Sequence, residues 1–331
     1  MLSPAADGGT LEVGVSNAAY DNLDKSLSPK YIMIAGPTAS GKSQFAIDLA
    51  RALDGEVINA DSMQLYSDLS VLTARPSAGD IKGIAHHLYG VLDGGQRASV
   101  AIWLGLAAEA MAAIRARGRM PIVIGGTGMY LDAAINGIAP IPDVPVEIHD
   151  AVTTLYRNIG GTAFRQKLAT LDPPVAARLV DGDRQRLIRA MGVVTATGTP
   201  LSVWQAGAHE GALPGRPIKL AILPPRKILY QRIDDRFDLM LESKVFDEVR
   251  RLAKRKLDPN LPLMKALGLS ALMSVLNKEI SLEEAVLICK RDSRHYAKRQ
   301  MTWLRNNYNA HLTINTKLSK SLIENIFSLI R

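Results

Sequence analysis

The stretch Gly36-Pro37-Thr38-Ala39-Ser40-Gly41-Lys42-Ser43 decides the fold. Gly, four residues, Gly-Lys and then Ser or Thr is the phosphate-loop pattern, and its surroundings agree with it. The apolar run 31–35 reads as a buried strand leading in, and 43–53 reads as a helix leading out. Phe45, Ala46, Leu49, Ala50 and Leu53 share one face of that helix. The glycines let the backbone curl so that successive N–H groups point inward. The positive end of the helix and the Lys42 ammonium add to the attraction for an anion. Ser43 can hold a magnesium ion that bridges phosphate oxygens. A diphosphate or triphosphate is therefore expected here, and the rest of the chain must say which.

With 331 residues, the chain is long enough for one large domain or two modest ones with a sizeable core. Hydrophobic residues at 47% and charged residues at 22% fit a soluble globular protein. Aromatic residues are only 5%, so aliphatic packing must carry the core. The formal net charge of +8 suits an anionic partner larger than a nucleotide, although charge alone decides little. Cys289 is the only cysteine, which excludes an intramolecular disulfide and argues against a cysteine-based zinc site. No apolar run approaches the roughly 20 residues that span a bilayer. Residues 1–29 are polar, contain no Arg and lack a secretory apolar segment, so a flexible extension and a cytoplasmic location are expected. A monomer is the working expectation, which the sequence does not decide.

Working outward from the loop, Gly55 is placed to cap the first helix, and 56–60 reads as a second strand ending at Asp61-Ser62-Met63-Gln64. In an open α/β sheet, ligands gather at the carboxyl ends of strands, so Asp61 shares a rim with the phosphate loop. Position alone lets that carboxylate bind magnesium, act as a general base or cap a turn. His86-His87 has no third ligand at a recognisable spacing, which favours a structural role over a metal site. A long Ala-rich helix over 100–117 precedes a third core strand, 120–124. That strand enters Gly125-Gly126-Thr127-Gly128-Met129-Tyr130, a second glycine-rich turn without the dinucleotide spacing. Backbone passing close to a bulky ligand and a plain tight turn explain its glycines equally well.

Strand–helix alternation then breaks, and 140–212 reads as a helical insertion on an α/β core made of 30–139 and 213–331. Within the insertion, Arg186 and Arg189 sit three apart on one helical face. A return to the sheet at 218–222 is followed by a helix whose apolar face comprises Ile228, Ile233, Phe237, Met240 and Leu241. Arg232 and Arg236 are four apart on another face, where an arginine can neutralise leaving-group charge or simply be solvated. The helix over 283–308 carries Lys290, Arg294, Lys298 and Arg305 as a basic stripe, with Tyr296 and Trp303 interleaved. It has no acid after Asp292, and that pattern favours a nucleic-acid backbone as partner.

Taken together, these stretches resemble the tRNA dimethylallyltransferases of the bacterial type. The resemblance rests on the phosphate loop, Asp61–Gln64, Gly125–Tyr130, Asp183-Arg-Gln-Arg-Leu-Ile-Arg189, Arg232-Ile-Asp-Asp-Arg-Phe237 and Tyr296-Ala-Lys-Arg-Gln-Met-Thr-Trp303, in that order. It implies a P-loop NTPase-like parallel sheet with a helical insertion. It also implies transfer of a dimethylallyl group from its diphosphate to the exocyclic amine of the adenine just 3′ of the anticodon. The loop 36–43 would hold the donor's diphosphate with magnesium at Ser43. Asp61 would be the general base, and Thr127 and Arg236 would line the reaction channel with Lys42 and Ser43. The tRNA anticodon stem-loop would be contacted by Asp61, Ser62, Met63, Gln64 and Thr127, by Gln185, Arg186, Leu187, Ile188 and Arg189, and by Lys265, Arg294 and Lys298. Such an amine is reached by flipping the base out of its stack.

Three departures stand out against the family pattern: Ser43 for threonine, Gly192 for glutamate, and Leu269 for tyrosine after Gly268. The rival readings are a P-loop small-molecule kinase, a prenyltransferase for free adenine nucleotides, and an RNA-binding protein with a relict phosphate loop. Intact Lys42, Ser43 and Asp61 argue against the last.

Overall fold

A computed structural model describes residues 29–315 and 320–330. The expected N-terminal extension therefore lies outside the described residues except for Pro29. The chain divides into two compact units, one built from residues up to Ile135 and from Leu213 onward, the other from Asn136–Ala212.

The first unit is a six-stranded sheet flanked by helices. In chain order its strands are β1 (Lys30–Ala35), β2 (Gly55–Asn59), β3 (His86–His87), β4 (Met120–Gly125), β5 (Arg216–Ile222) and β6 (Leu312–Ile314). Their spatial order is β3-β2-β4-β1-β5-β6, and every pairing is parallel. Parallel sheets are covered on both faces, which is why Tyr31 to Ala35 reads as an unbroken apolar run and is wholly buried. On one face, Phe45, Ala46 and Leu49 of the Lys42–Leu53 helix pack onto Ile32, Ile34 and Ile122. At its far edge the same cluster takes in Leu312 and Ile314 of β6 and Leu322 and Ile326 of the Lys320–Ile330 helix.

Several local expectations need correcting. Gly55 does not cap the first helix: Asp54 does, in a left-handed conformation at φ 48°, and Gly55 already pairs with Met120 in β2. Ile228 is 46% exposed, and Leu229 takes the buried place on the Arg226–Glu242 helix together with Ile233, Phe237 and Met240. The apolar face begins one residue later, since residues 226–228 of the first turn are exposed. His86 and His87 form β3, and His87 Nε2 meets the buried Glu56 carboxylate at 2.6 Å. Arg117 donates to the same carboxylate at 2.6 and 3.0 Å, and this pairing holds Glu56 down at about 2. The paired histidines thus anchor a sheet edge. Among the described residues, no group of three His, Cys, Asp or Glu could hold a metal ion.

The second unit is helical. Its core gathers Val152, Phe164 and Leu168 of the Val146–Ala169 helix with Leu187, Ile188 and Met191 of the Arg184–Thr197 helix. Gly192 faces Val144, whose methyl carbon would lie 3.3 Å from an added Cβ, so a glutamate there would need Val144 to give way.

Candidate active site

The carboxyl ends of β1, β4 and β2 release three loops beside one another, and the site is built from these. After β1, the chain turns through Ala39 at φ 61° and Gly41 at φ 90°. Those left-handed dihedrals swing the loop around the space ahead of the Lys42–Leu53 helix. Gly41 offers that helix no side-chain cap, so its leading N–H groups remain available to an anion. Lys42 folds back, its Nζ donating to the Pro37 carbonyl at 3.3 Å. Burial pushes its ammonium down to about 8, with Arg236 adding to the shift and Asp61 opposing it.

After β2, Asn59 is buried and organises the next residues. Its side chain accepts the Asp61 N–H at 2.9 Å and donates to the Asp61 and Leu88 carbonyls at 3.0 Å each. Asp61 is half-buried, and its Oδ1 accepts the Met63 N–H at 3.0 Å. It therefore caps its own turn while facing the open space beside the loop. After β4, Thr127 Oγ1 accepts the Ser62 N–H at 3.2 Å, which ties the second glycine-rich turn to the residue next to Asp61.

Arginines close the arrangement from the Arg226–Glu242 helix. Arg236 Nη2 donates to Thr38 Oγ1 at 2.6 Å, and Arg232 Nη1 reaches the Ser40 carbonyl at 3.5 Å. Burial lowers the Arg236 guanidinium from its ordinary value, and Asp61 partly restores it. A wall is supplied by the turn after Leu69. Buried Glu248 accepts the N–H groups of Ser70, Val71 at 3.0 Å and Leu72 at 2.9 Å, and it takes the Ser70 hydroxyl at 2.9 Å.

Two cavities meet at Thr38, Asp61, Thr73 and Arg236. The first, about 350 Å³, is polar and lies over the phosphate loop, bounded by Lys42, Ser43, Gln64 and Arg232. The second, about 310 Å³, opens on the other side of Asp61 and is walled by Met63, Leu72, Phe237, Met240, Lys265 and Tyr296. An anion held in the first places whatever is attached to it against Asp61, facing a largely apolar chamber. The burial of Tyr89, Tyr130 and Tyr296, together with the Asp61 charge, raises all three phenols, so they stay protonated at neutral pH.

Other residues expected at the site fall into distinct places. Ser62 and Met63 line the apolar cavity. Gln64 lines the polar one, and its Nε2 donates to the Thr73 and Ala74 carbonyls at 2.9 and 3.0 Å, which holds that loop. In the second unit, Gln185, Arg186 and Arg189 are exposed, whereas Leu187 and Ile188 are buried in its core and present no side chain to a partner. A helix with that run of five can show solvent only its outer face. The basic stripe of the Leu282–Asn307 helix is also thinner than its sequence suggests. Lys290 pairs with Asp238 at 2.6 Å and Arg294 with Asp234 at 2.7 Å, so the missing acids come from the neighbouring helix. Lys298 remains exposed beside Arg299 and Trp303.

The residue that sequence reasoning missed is Gln300. It is buried on the inner face of that helix, where Ala297, Met301 and Leu304 also pack. Its only signal is its place inside the 296–303 stretch.

Comparison with known proteins identifies the family. The model of the family described as IPP transferase matches residues 64–307, and that described as isopentenyl transferase matches residues 29–91. The chain belongs to the IPP transferase family. A tRNA dimethylallyltransferase of Rhodopseudomonas palustris (strain ATCC BAA-98 / CGA009) is 48% identical over 84% of this chain and 87% of the relative. The full-length tRNA isopentenylpyrophosphate transferase of Bacillus halodurans superposes with a TM-score of 0.65 at 32% identity, covering 91% of this chain and 95% of that one. A eukaryotic dimethylallyltransferase acting on tRNA gives 0.72 at 28% identity, over 84% and 70% of the two chains. The parallel sheet with its flanking helices is thus the P-loop NTPase-like architecture of IPP transferases. Among the described residues, no helix is long and apolar enough to cross a membrane.

Proposed function

We propose that this IPP transferase prenylates tRNA, taking the dimethylallyl group from dimethylallyl diphosphate and placing it on N6 of the adenine at position 37. The observation that carries this reading is the meeting of the phosphate-loop cavity and the apolar cavity at Asp61, Thr38 and Arg236. An anion site alone would serve a kinase. An anion site opening past a carboxylate into a chamber with an apolar wall of Met63, Leu72, Phe237 and Met240 suits a donor whose reacting atom is a carbon.

In this reading the loop 36–43, Lys42 and Arg236 hold the diphosphate. The adenine amine is a weak nucleophile because its lone pair is delocalised into the ring, and Asp61 orients it and accepts its proton. The new C–N bond forms at the allylic carbon as the C–O bond to the diphosphate breaks, and the electron pair leaves with the diphosphate. Lys42 and Arg236 stabilise that departing charge in a site partly shut off from water. Thr127 steadies the Asp61 segment through Ser62. The residues fit a magnesium ion held chiefly by the donor: Ser43 is exposed on the polar cavity, and magnesium prefers phosphate oxygens and water to an all-protein cage. Bound there, the ion would neutralise diphosphate charge.

On the tRNA side, exposed Gln185, Arg186 and Arg189, with Lys265 and Lys298, are suited to the anticodon stem-loop backbone. Arg294 is better read as a strut to Asp234. The enzyme is read as a monomer, and a tRNA substrate supports a cytoplasmic one. The test is purified protein with magnesium, labelled dimethylallyl diphosphate and either unmodified tRNA or AMP. Label in tRNA alone is expected. Label in AMP would mean a free-nucleotide enzyme, and ATP consumption without prenyl transfer would mean a kinase.

A further inference from the structure

The inner face of the Leu282–Asn307 helix meets the second glycine-rich turn residue by residue. Gln300 Nε2 donates to the Gly126 carbonyl at 2.9 Å. The Thr127 hydroxyl lies beside the Tyr296 phenol and partly offsets the rise that burial gives it. The Trp303 indole lies against Gly128, where an added Cβ would come within 2.5 Å of the ring. Residues 296, 300 and 303 follow the i, i+4, i+7 spacing of one helical stripe, so a single straight helix makes all three contacts.

Gln300 does something the other two do not. Its Oε1 accepts the Thr38 N–H at 2.8 Å, which spans 262 residues of sequence to reach the phosphate loop. The amide orientation is unambiguous: turning it over would set N–H against N–H and carbonyl against carbonyl. The Thr38 hydroxyl is held from the other side by Arg236 at 2.6 Å. Directly after Thr38 comes Ala39 at φ 61°, a conformation that is costly for any residue with a Cβ. Something must hold the loop in that shape, and Gln300 grips the residue just before it.

We propose that Gln300 is a positioning residue that braces the phosphate loop against the second glycine-rich turn, keeping the loop in the shape that receives a diphosphate. It lines neither cavity of the site, so it acts on the donor only through the loop. The inference rests on the donor-site reading given above, and it reaches further by assigning the loop's shape to the C-terminal helix. Tyr296 serves as the internal contrast: its partner Thr127 leads to Ser62 and Asp61, on the acceptor side of the site.

The test measures inorganic pyrophosphate binding by calorimetry with magnesium present, so that it stands apart from prenyl transfer. Gln300→Met keeps the length and loses both hydrogen bonds. Its pyrophosphate affinity is expected to fall about tenfold, the equivalent of one buried hydrogen bond lost, while tRNA affinity stays within about twofold. In turnover, the KM for dimethylallyl diphosphate should rise by a similar factor with the KM for tRNA unchanged. Tyr296→Phe should leave pyrophosphate affinity intact and lower kcat. Unchanged pyrophosphate binding in Gln300→Met would overturn the proposal. A parallel loss of pyrophosphate and tRNA affinity with a lower Tm would also overturn it, because that marks a general structural role. If wild-type protein binds pyrophosphate but does not prenylate tRNA, the functional reading fails while the brace is still tested by the binding data.

Discussion

Two glycine-rich turns leave neighbouring strands of the same sheet, and Gly41 of the first serves a different purpose from the glycines of the second. In the loop after β1, Gly41 supplies a dihedral: φ is 90°, and the nearest atom to an added Cβ, Arg232 Nη1, is 3.9 Å away. In the turn after β4, Gly125, Gly126 and Gly128 need no positive φ and supply space instead. Added Cβ atoms would fall 2.2 Å from the Ala60 carbonyl oxygen, 2.3 Å from Gln300 Nε2 and 2.5 Å from the Trp303 ring. Gly41 gives the first turn its left-handed backbone, and the glycines of the second clear its surface so that the protein can press against it. For the second turn the structure adds a reason not visible in the sequence, which is close packing against Ala60, Gln300 and Trp303.

The largest effect expected lies between the two turns. Asp61→Ala should lower prenyl transfer by roughly 10²–10⁴-fold, the range for loss of a general base, with tRNA affinity preserved. If the variant instead lost only tRNA binding in a filter assay, Asp61 would belong to recognition. The next pair of variants tests the contrast directly. Gly126→Ala should cost roughly 1–3 kcal/mol in chemical denaturation, because the Gly36 carbonyl oxygen at 2.8 Å is backbone and cannot step aside. Gly41→Ala should cost only the left-handed penalty of about 1–2 kcal/mol, and Gly41→Asn should recover part of it, since Asn tolerates that region. Asn at 126 should recover nothing. Equal rescue at both positions would erase the distinction.

A pH titration sharpens the ligand-receiving turn. The Lys42 ammonium sits at about 8, so the free enzyme loses that charge as pH rises through this value. Pyrophosphate affinity should therefore decline above pH 8, and Lys42→Met should remove that step from the profile. The smallest effects are expected on the outside of the helix that presses on the second turn. Lys298→Ala should reduce the salt slope of tRNA binding by about one unit. Arg294→Ala should leave the slope alone and cost about 0.2–1 kcal/mol of stability, as for other partly exposed ion pairs.

How much of this was legible in the sequence follows from how local each feature is. The phosphate loop, its strand and its helix are written in adjacent residues, because dihedral freedom at Gly41 and the apolar runs on either side need no distant partner. Asp61 was placed on the correct rim by the same local logic. Gln300 could not be read, since its two partners lie at positions 38 and 126 and an interior glutamine looks like any polar helix residue. The helical stripe of Lys290 and Arg294 was visible, but Asp234 and Asp238, which neutralise it, belong to another element. Leu187 and Ile188 were quoted inside a motif whose outer residues are basic, and a motif names positions without saying which way they face.

One further consequence concerns the order in which the chain is made. The strand that launches the phosphate loop is secured from the far end of the sequence: Tyr308 Oη donates to the Met33 carbonyl at 2.8 Å, and β6 pairs along β5 beside it. A ribosome delivers the loop more than 250 residues before these fastenings. Until residues 300–314 have emerged, the nascent chain carries the lysine and glycines of the cradle without the scaffold that shapes them. Translation must pass residue 314 before the loop has the scaffold that shapes it.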